Sequence, residues 1–271
     1  MKQRIEYLDI FRAVGIVLMI MGHVGFGKVF NFYIHAFHMP MFFLLSGYFF
    51  KSDEKVKDFF QKKIKTLIIP YIFFGIMHYI LYCIINKGLE IQSLKHLLFV
   101  NTDGLPIAGA LWFLTALFFA DMFYYFISRP KKIYKVLLVT FISVFGNIAT
   151  LILLFRLPFA LDVACVGVGL MYIGGLIKSY RQNKYVDKIL NINIFWGIVI
   201  AMISAILIKA NSYVNMRKGE YGIIPLFWIN AVLSSFVIFV VSKYIDKYCF
   251  KWLKQYAVGI GKDSIAYLCL N

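Results

Sequence analysis

Along the chain, long apolar runs alternate with short polar connections, and the run length matches the thickness of a bilayer. A helical span of the hydrocarbon core needs about 20 apolar residues. Eight stretches approach or meet that length: 8–26, 30–50, 67–85, 108–127, 136–155, 159–177, 192–208 and 224–241. A ninth begins near Tyr256, and the sequence ends inside it at Asn271. The pattern predicts an all-α fold, a polytopic transmembrane helical bundle of about eight complete spans and a partial ninth, forming one domain over residues 1–271. The longest connections on one side, 86–107 and 209–223, have the length to cover a site and not to form a domain.

Composition supports the membrane and rules out a soluble domain: 61% of residues are hydrophobic and 15% charged, with a mean hydropathy of +0.77. A net charge of +16 raises the question of nucleic acid, but the positions of the basic residues answer it. They collect at alternate ends of the spans: Lys51, Lys55, Lys57, Lys62, Lys63 and Lys65 in one loop, Arg129, Lys131, Lys132 and Lys135 in the next, then Lys178, Arg181, Lys184 and Lys188, then Lys243, Lys247, Lys251 and Lys254. Lys2 and Arg4 fall on the same side. By the positive-inside rule that side and the N-terminus are cytoplasmic, with the lysines also meeting anionic lipid. The cysteines Cys83, Cys165, Cys249 and Cys269 have no metal-ligand spacing and read as small buried hydrophobes. The first segment lacks a small-residue cleavage pattern and is not read as a cleaved signal peptide.

The chemistry is carried by polar residues inside the apolar runs, where ionisable groups mark function by default. In LDIFRAVGIVLMIMGH, the step of eleven residues from Arg12 to His23 turns about 20° beyond three full helical turns, so both leave one face. Asp9, three residues before Arg12, joins the stripe as a counter-ion. Counting about 1.5 Å per residue from Tyr7, Arg12 is placed about 8 Å and His23 about 24 Å from the cytoplasmic boundary. The second segment, YIHAFHMPMFFLLSGYFF, enters from outside, so His35 and His38 also belong to the outer half and share a face. The three histidines are expected to converge near one depth. Pro40 predicts a break beside His38, and Ser46 with Gly47 predicts close helix packing rather than ligand contact.

Other embedded groups have two readings. Asp162 either locks a hairpin with Arg156 or binds an acceptor sugar. Trp112 is an interfacial anchor or a sugar-stacking platform. Asp121 is expected to pair with a nearby lysine, His78 to be core, and His96 to belong to a loop.

The stretches RIEYLDIFRAVGIVLMIMGH, FHMPMFFLLSGYFF, KKIKTLIIPY, ALWFLTALF and IGKDSIAYL, in this order and spacing, together resemble the acyltransferase 3 family of integral-membrane acyltransferases. LPFALDVACVGVGLMYIGGL resembles its fucose 4-O-acetylase-like branch. The family pattern of a basic residue, ten residues and a histidine falls on Arg12 and His23, and the next family histidine on His38. The resemblance implies transfer of an acyl group, acetyl before others, from cytosolic acyl-CoA to a hydroxyl of a surface polysaccharide or glycolipid sugar at the cell membrane. It assigns His23 and then His38 to catalysis, as general base, base partner or acyl-carrying nucleophile. Arg12, held by Asp9, and Lys63 would bind the co-substrate acyl-CoA; His35, Trp112 and Asp162 would face the glycan acceptor. The family usually has about ten spans and often a histidine where Asn271 stands, so the sequence predicts a chain truncated at its C-terminus. No permanently bound cofactor, no metal and no nucleic-acid partner is implied. The alternatives are a multi-pass transporter of a glycan or lipid, or a non-catalytic membrane protein.

Overall fold

The computed structural model describes residues 5–99, 109–153 and 155–270. The start of the fourth stretch at Ala108, the end of the 86–107 connection, Lys2, Arg4 and Asn271 lie outside the described residues. Among those described, the regular structure is helical: α1 (Glu6–His23), α2 (Lys28–His35), α3 (Pro40–Phe49), α4 (Val56–Lys63), α5 (Ile69–Ile85), α6 (Ile91–Phe99), α7 (Trp112–Ile127), α8 (Lys132–Ile152), α9 (Leu161–Tyr180), α10 (Lys184–Leu190), α11 (Ile194–Ala210), α12 (Ile224–Tyr248), α13 (Lys251–Lys262) and α14 (Ser264–Leu270).

Among the described residues, five segments are long and apolar enough to cross a membrane: Lys28–Phe49, Val56–Ile85, Lys132–Ile152, Pro158–Tyr180 and Ile224–Tyr248. A sixth is available if α10 and α11, bent by 81°, are one broken span. α1 is long enough but carries Glu6, Asp9 and Arg12, and α7 is apolar but has 16 residues. The third stretch begins earlier than its apolar pattern. A π-turn at Ile64–Ile68 joins α4 to α5, so the lysine-rich lead-in is the first part of a 30-residue helix. The expected break beside His38 is present: α2 ends at His35 and α3 starts at Pro40, whose ring nitrogen has no hydrogen to give. The segment expected to open a ninth span is instead two short helices separated at Asp263. α13 buries Val258 and Gly261 and leaves Trp252 and Tyr256 exposed, which suits a helix lying along a surface better than one buried all round.

The chain divides into two compact units: residues 1–42, 176–215 and 221–267, and residues 43–175, 216–220 and 268–271. In the first, α1 packs on α12 and α13, and α11 packs on α12. Ile10, Ile16 and Met19 of α1 and Phe227 and Ala231 of α12 are buried there. α13 comes close to α1 where Gly261 faces the Asp9 carbonyl: a Cβ at Gly261 would stand 1.9 Å from that oxygen. In the second unit, α3 and α9 meet through small residues. A Cβ on Gly47 would lie 1.9 Å from the Met171 carbonyl oxygen, and one on Gly174 would lie 1.9 Å from that of Leu44. Without a hydrophobic force between helices in lipid, such backbone approach supplies the packing. The outward residues of the long helices, among them Phe73, Phe141 and Ile206, remain exposed, as a lipid-facing surface requires.

Candidate functional site

The site is assembled on the first hairpin of the first unit. Residues Val24–Gly27 form its turn, in which Gly25 and Gly27 have φ of 85° and 103°, open space for glycine and strained for other residues. α1 then runs antiparallel past its neighbours: Gly22 lies beside Asn31 and His35, and Gly15 beside Met41 and Phe42. This register places His35 level with the end of α1, and His38 between the levels of Gly22 and Gly15, about one turn deeper. Arg12 lies further along, about 16 Å from His23 along the helix axis.

The histidines come together as expected, with a difference of depth. The rings of His35 and His38 are 5.0 Å apart between centroids, edge to face, and Gly22, the residue before His23, lies beside His35. His23 is exposed, His35 half-buried and His38 buried. His35 Nδ1 donates to the Asn31 carbonyl at 2.8 Å, and His38 Nδ1 to the Ile34 carbonyl at 2.9 Å. A neutral imidazole that gives its Nδ1 proton to a carbonyl carries its lone pair on Nε2. Both rings are therefore held in the tautomer that presents a base. The carbonyl used by His38 also accepts from the Phe37 and His38 amides.

Deeper on the same stripe, Asp9 Oδ1 accepts from Arg12 Nη1 at 2.8 Å. The carboxylate is almost fully buried, while 28% of the arginine side chain is exposed. The carboxylate anchors the cation, and a partly exposed guanidinium is a group suited to an anion or a carbonyl oxygen.

The remaining predicted residues belong to the second unit. Lys63 is engaged: its Nζ donates to Asp121 Oδ2 at 2.6 Å, and Ser46 Oγ donates to Asp121 Oδ1 at 3.0 Å. Asp121 is fully buried, so the expected lysine partner of Asp121 is Lys63 itself, the residue also expected to bind the donor. Ser46 has a polar partner as well as its place beside the Gly47 packing point. Asp162 Oδ2 lies 2.8 Å from Arg156 Nη2, which also donates to the Arg217 carbonyl at 3.0 Å. The ion pair that the hairpin reading expects is present. Trp112 is 5% exposed, edge-on to Phe113, and is packed as core. His78, also buried, bonds through Nε2 to the Cys269 carbonyl at 2.8 Å.

Two residues near the histidines escaped the sequence reading. Tyr213, which follows α11, stacks at a tilt on His35 with centroids 5.3 Å apart; a loop residue so far away in sequence leaves no local signal. Asn31 stands four residues before His35 on the same helical face, a spacing that was open to inspection.

A family model described as an acyltransferase domain, of the acyltransferase 3 type, matches residues 5–260. No curated protein and no solved structure gives a match.

Proposed function

This chain belongs to the acyltransferase 3 family and is a membrane acyltransferase, and from that premise we propose that it is an O-acetyltransferase of the cell envelope. It moves an acetyl group from cytosolic acetyl-CoA to a hydroxyl of a surface polysaccharide or glycolipid sugar. With α1 and α7 counted among its spans, the bundle crosses the plasma membrane eight times from a cytoplasmic N-terminus. The observation that carries the reading is the histidine cluster with its tautomers fixed by backbone carbonyls, set on the same stripe as the Asp9–Arg12 pair.

A sugar hydroxyl is a weak nucleophile until a base removes its proton. His38, buried, with Nε2 as acceptor and nearer the arginine, takes that role, and exposed His23 meets the acceptor at the outer mouth. The hydroxyl oxygen attacks the thioester carbonyl carbon as its proton passes to His38 Nε2. The carbon–sulfur bond then breaks, and the imidazolium returns the proton to the departing CoA sulfur. Arg12 holds a donor phosphate or the thioester carbonyl, and Asp9 orients its fork.

The test is transfer of label from [14C]acetyl-CoA to a panel of envelope glycans by the purified protein, beside His38→Ala, His23→Ala and Arg12→Ala. We expect product with the parent chain and a loss in all three variants, deepest for His38→Ala. Undiminished transfer by His38→Ala and Arg12→Ala would remove the site from this hairpin.

A further inference from the structure

Inside the first unit, one polar atom at the histidine cluster is buried with nothing to bind. Asn31 Oδ1 is shielded from solvent and accepts no hydrogen bond among the described residues. The Asn31 backbone carbonyl is occupied, since it takes the His35 Nδ1 hydrogen, so the orphan is the side-chain oxygen alone. A buried acceptor left empty carries a free-energy cost and calls for an explanation. Its surroundings supply one. Gly22, across from it on α1, has no side chain, and a Cβ there would lie 3.9 Å from Asn31 Oδ1 and 3.9 Å from His35 Cε1. The amide oxygen and the imidazole edge thus flank the same small space, with the Tyr213 ring on His35 bounding the cluster.

We propose that Asn31 is an acceptor-recognition residue, whose Oδ1 takes the hydrogen of a sugar hydroxyl neighbouring the one that is acylated. The inference rests on the acyl-transfer reading above and deepens it by naming the contact that selects the substrate. Asn31 and His35 are one helical turn apart on one face, so a ring that offers one hydroxyl to the histidines presents another to the amide. A polyhydroxylated acceptor satisfies the orphan oxygen, whereas an aliphatic alcohol leaves it buried and empty.

The experiment uses the full chain in detergent, [14C]acetyl-CoA, and the methyl glycosides of fucose, glucose, galactose and N-acetylglucosamine with their monodeoxy analogues. For the glycoside that the parent acetylates, one monodeoxy analogue is expected to lower kcat/KM about tenfold, the scale of one lost hydrogen bond. Asn31→Leu should raise the glycoside KM by a similar factor, leave the acetyl-CoA KM unchanged, and erase the penalty for that analogue. Asn31→Asp, which retains an acceptor oxygen, should restore the penalty. If Asn31→Leu discriminates among the deoxy analogues as the parent does, Asn31 does not read the acceptor and this inference fails alone. If the parent labels no glycoside while turning over no acetyl-CoA, the acyl-transfer reading fails and takes the inference with it.

Discussion

The histidine cluster of the first unit and the Lys63–Asp121–Ser46 group of the second both place polar side chains in apolar helices, and they spend their hydrogen-bonding capacity in opposite ways. In the second unit each group answers another: Lys63 and Ser46 each give a hydrogen to a different oxygen of fully buried Asp121. In the first unit the rings are tied down through Nδ1 to backbone carbonyls, which fixes their orientation and keeps their basic nitrogen for something else. Closed polar groups hold helices together; groups satisfied on one side only are built for chemistry. Burial alone does not separate the two, since Asp121 and His38 are both buried.

That contrast breaks most visibly at His38. His38→Ala should lower acyl transfer by about 10²–10⁴-fold, the range for a lost general base, while thermal unfolding in micelles stays near that of the parent. A large drop in stability with a small drop in rate would move His38 to the structural side. The converse holds for the closed group. Asp121→Asn leaves a lysine without its counter-ion and should destabilise the protein by about 3 kcal/mol, read by denaturation in detergent. Adding Lys63→Met should return much of the loss.

Next in size is the helix contact beside that group. Gly47→Ala puts a methyl group against the Met171 carbonyl and should cost about 2 kcal/mol, with unfolding again the readout. Smallest is the ion cluster of Lys254, whose Nζ lies 2.7 Å from Asp246 and 2.6 Å from Glu6. Asp246 and then Glu6 raise the Lys254 pKa above its ordinary 10.5. Because the folded value is the higher, the contribution is complete below the unfolded value and disappears as pH rises through the folded one. The difference in melting temperature between the parent and Lys254→Met should therefore be small at pH 8 and vanish at strongly alkaline pH.

What was legible in the sequence follows the range of the interactions. Asp9 with Arg12, and His35 with His38, are separated by three residues, and helical geometry alone brings them together. That Asp121 would find a lysine was legible in kind, but not that the lysine would be Lys63, 58 residues away. Tyr213 reaches His35 from another part of the chain, and no periodicity points to it. The all-helical class was plain from the apolar runs. The boundaries were less so: the α4–α5 helix incorporates a polar lead-in, and α13 shows only half an apolar surface. Sequence depth counted from Tyr7 set three histidines at one level, whereas the contacts of Gly22 and Gly15 set the register and put His38 a turn deeper.

The hairpin itself has a further consequence. Every proposed group from Asp9 to His38 comes from 30 consecutive residues, so their mutual placement depends on one short turn and one interhelical register. Their arrangement therefore has a single point of failure: one residue inserted between Val24 and Gly27 would rotate and shift α2 against α1 and disturb every one of these placements at once.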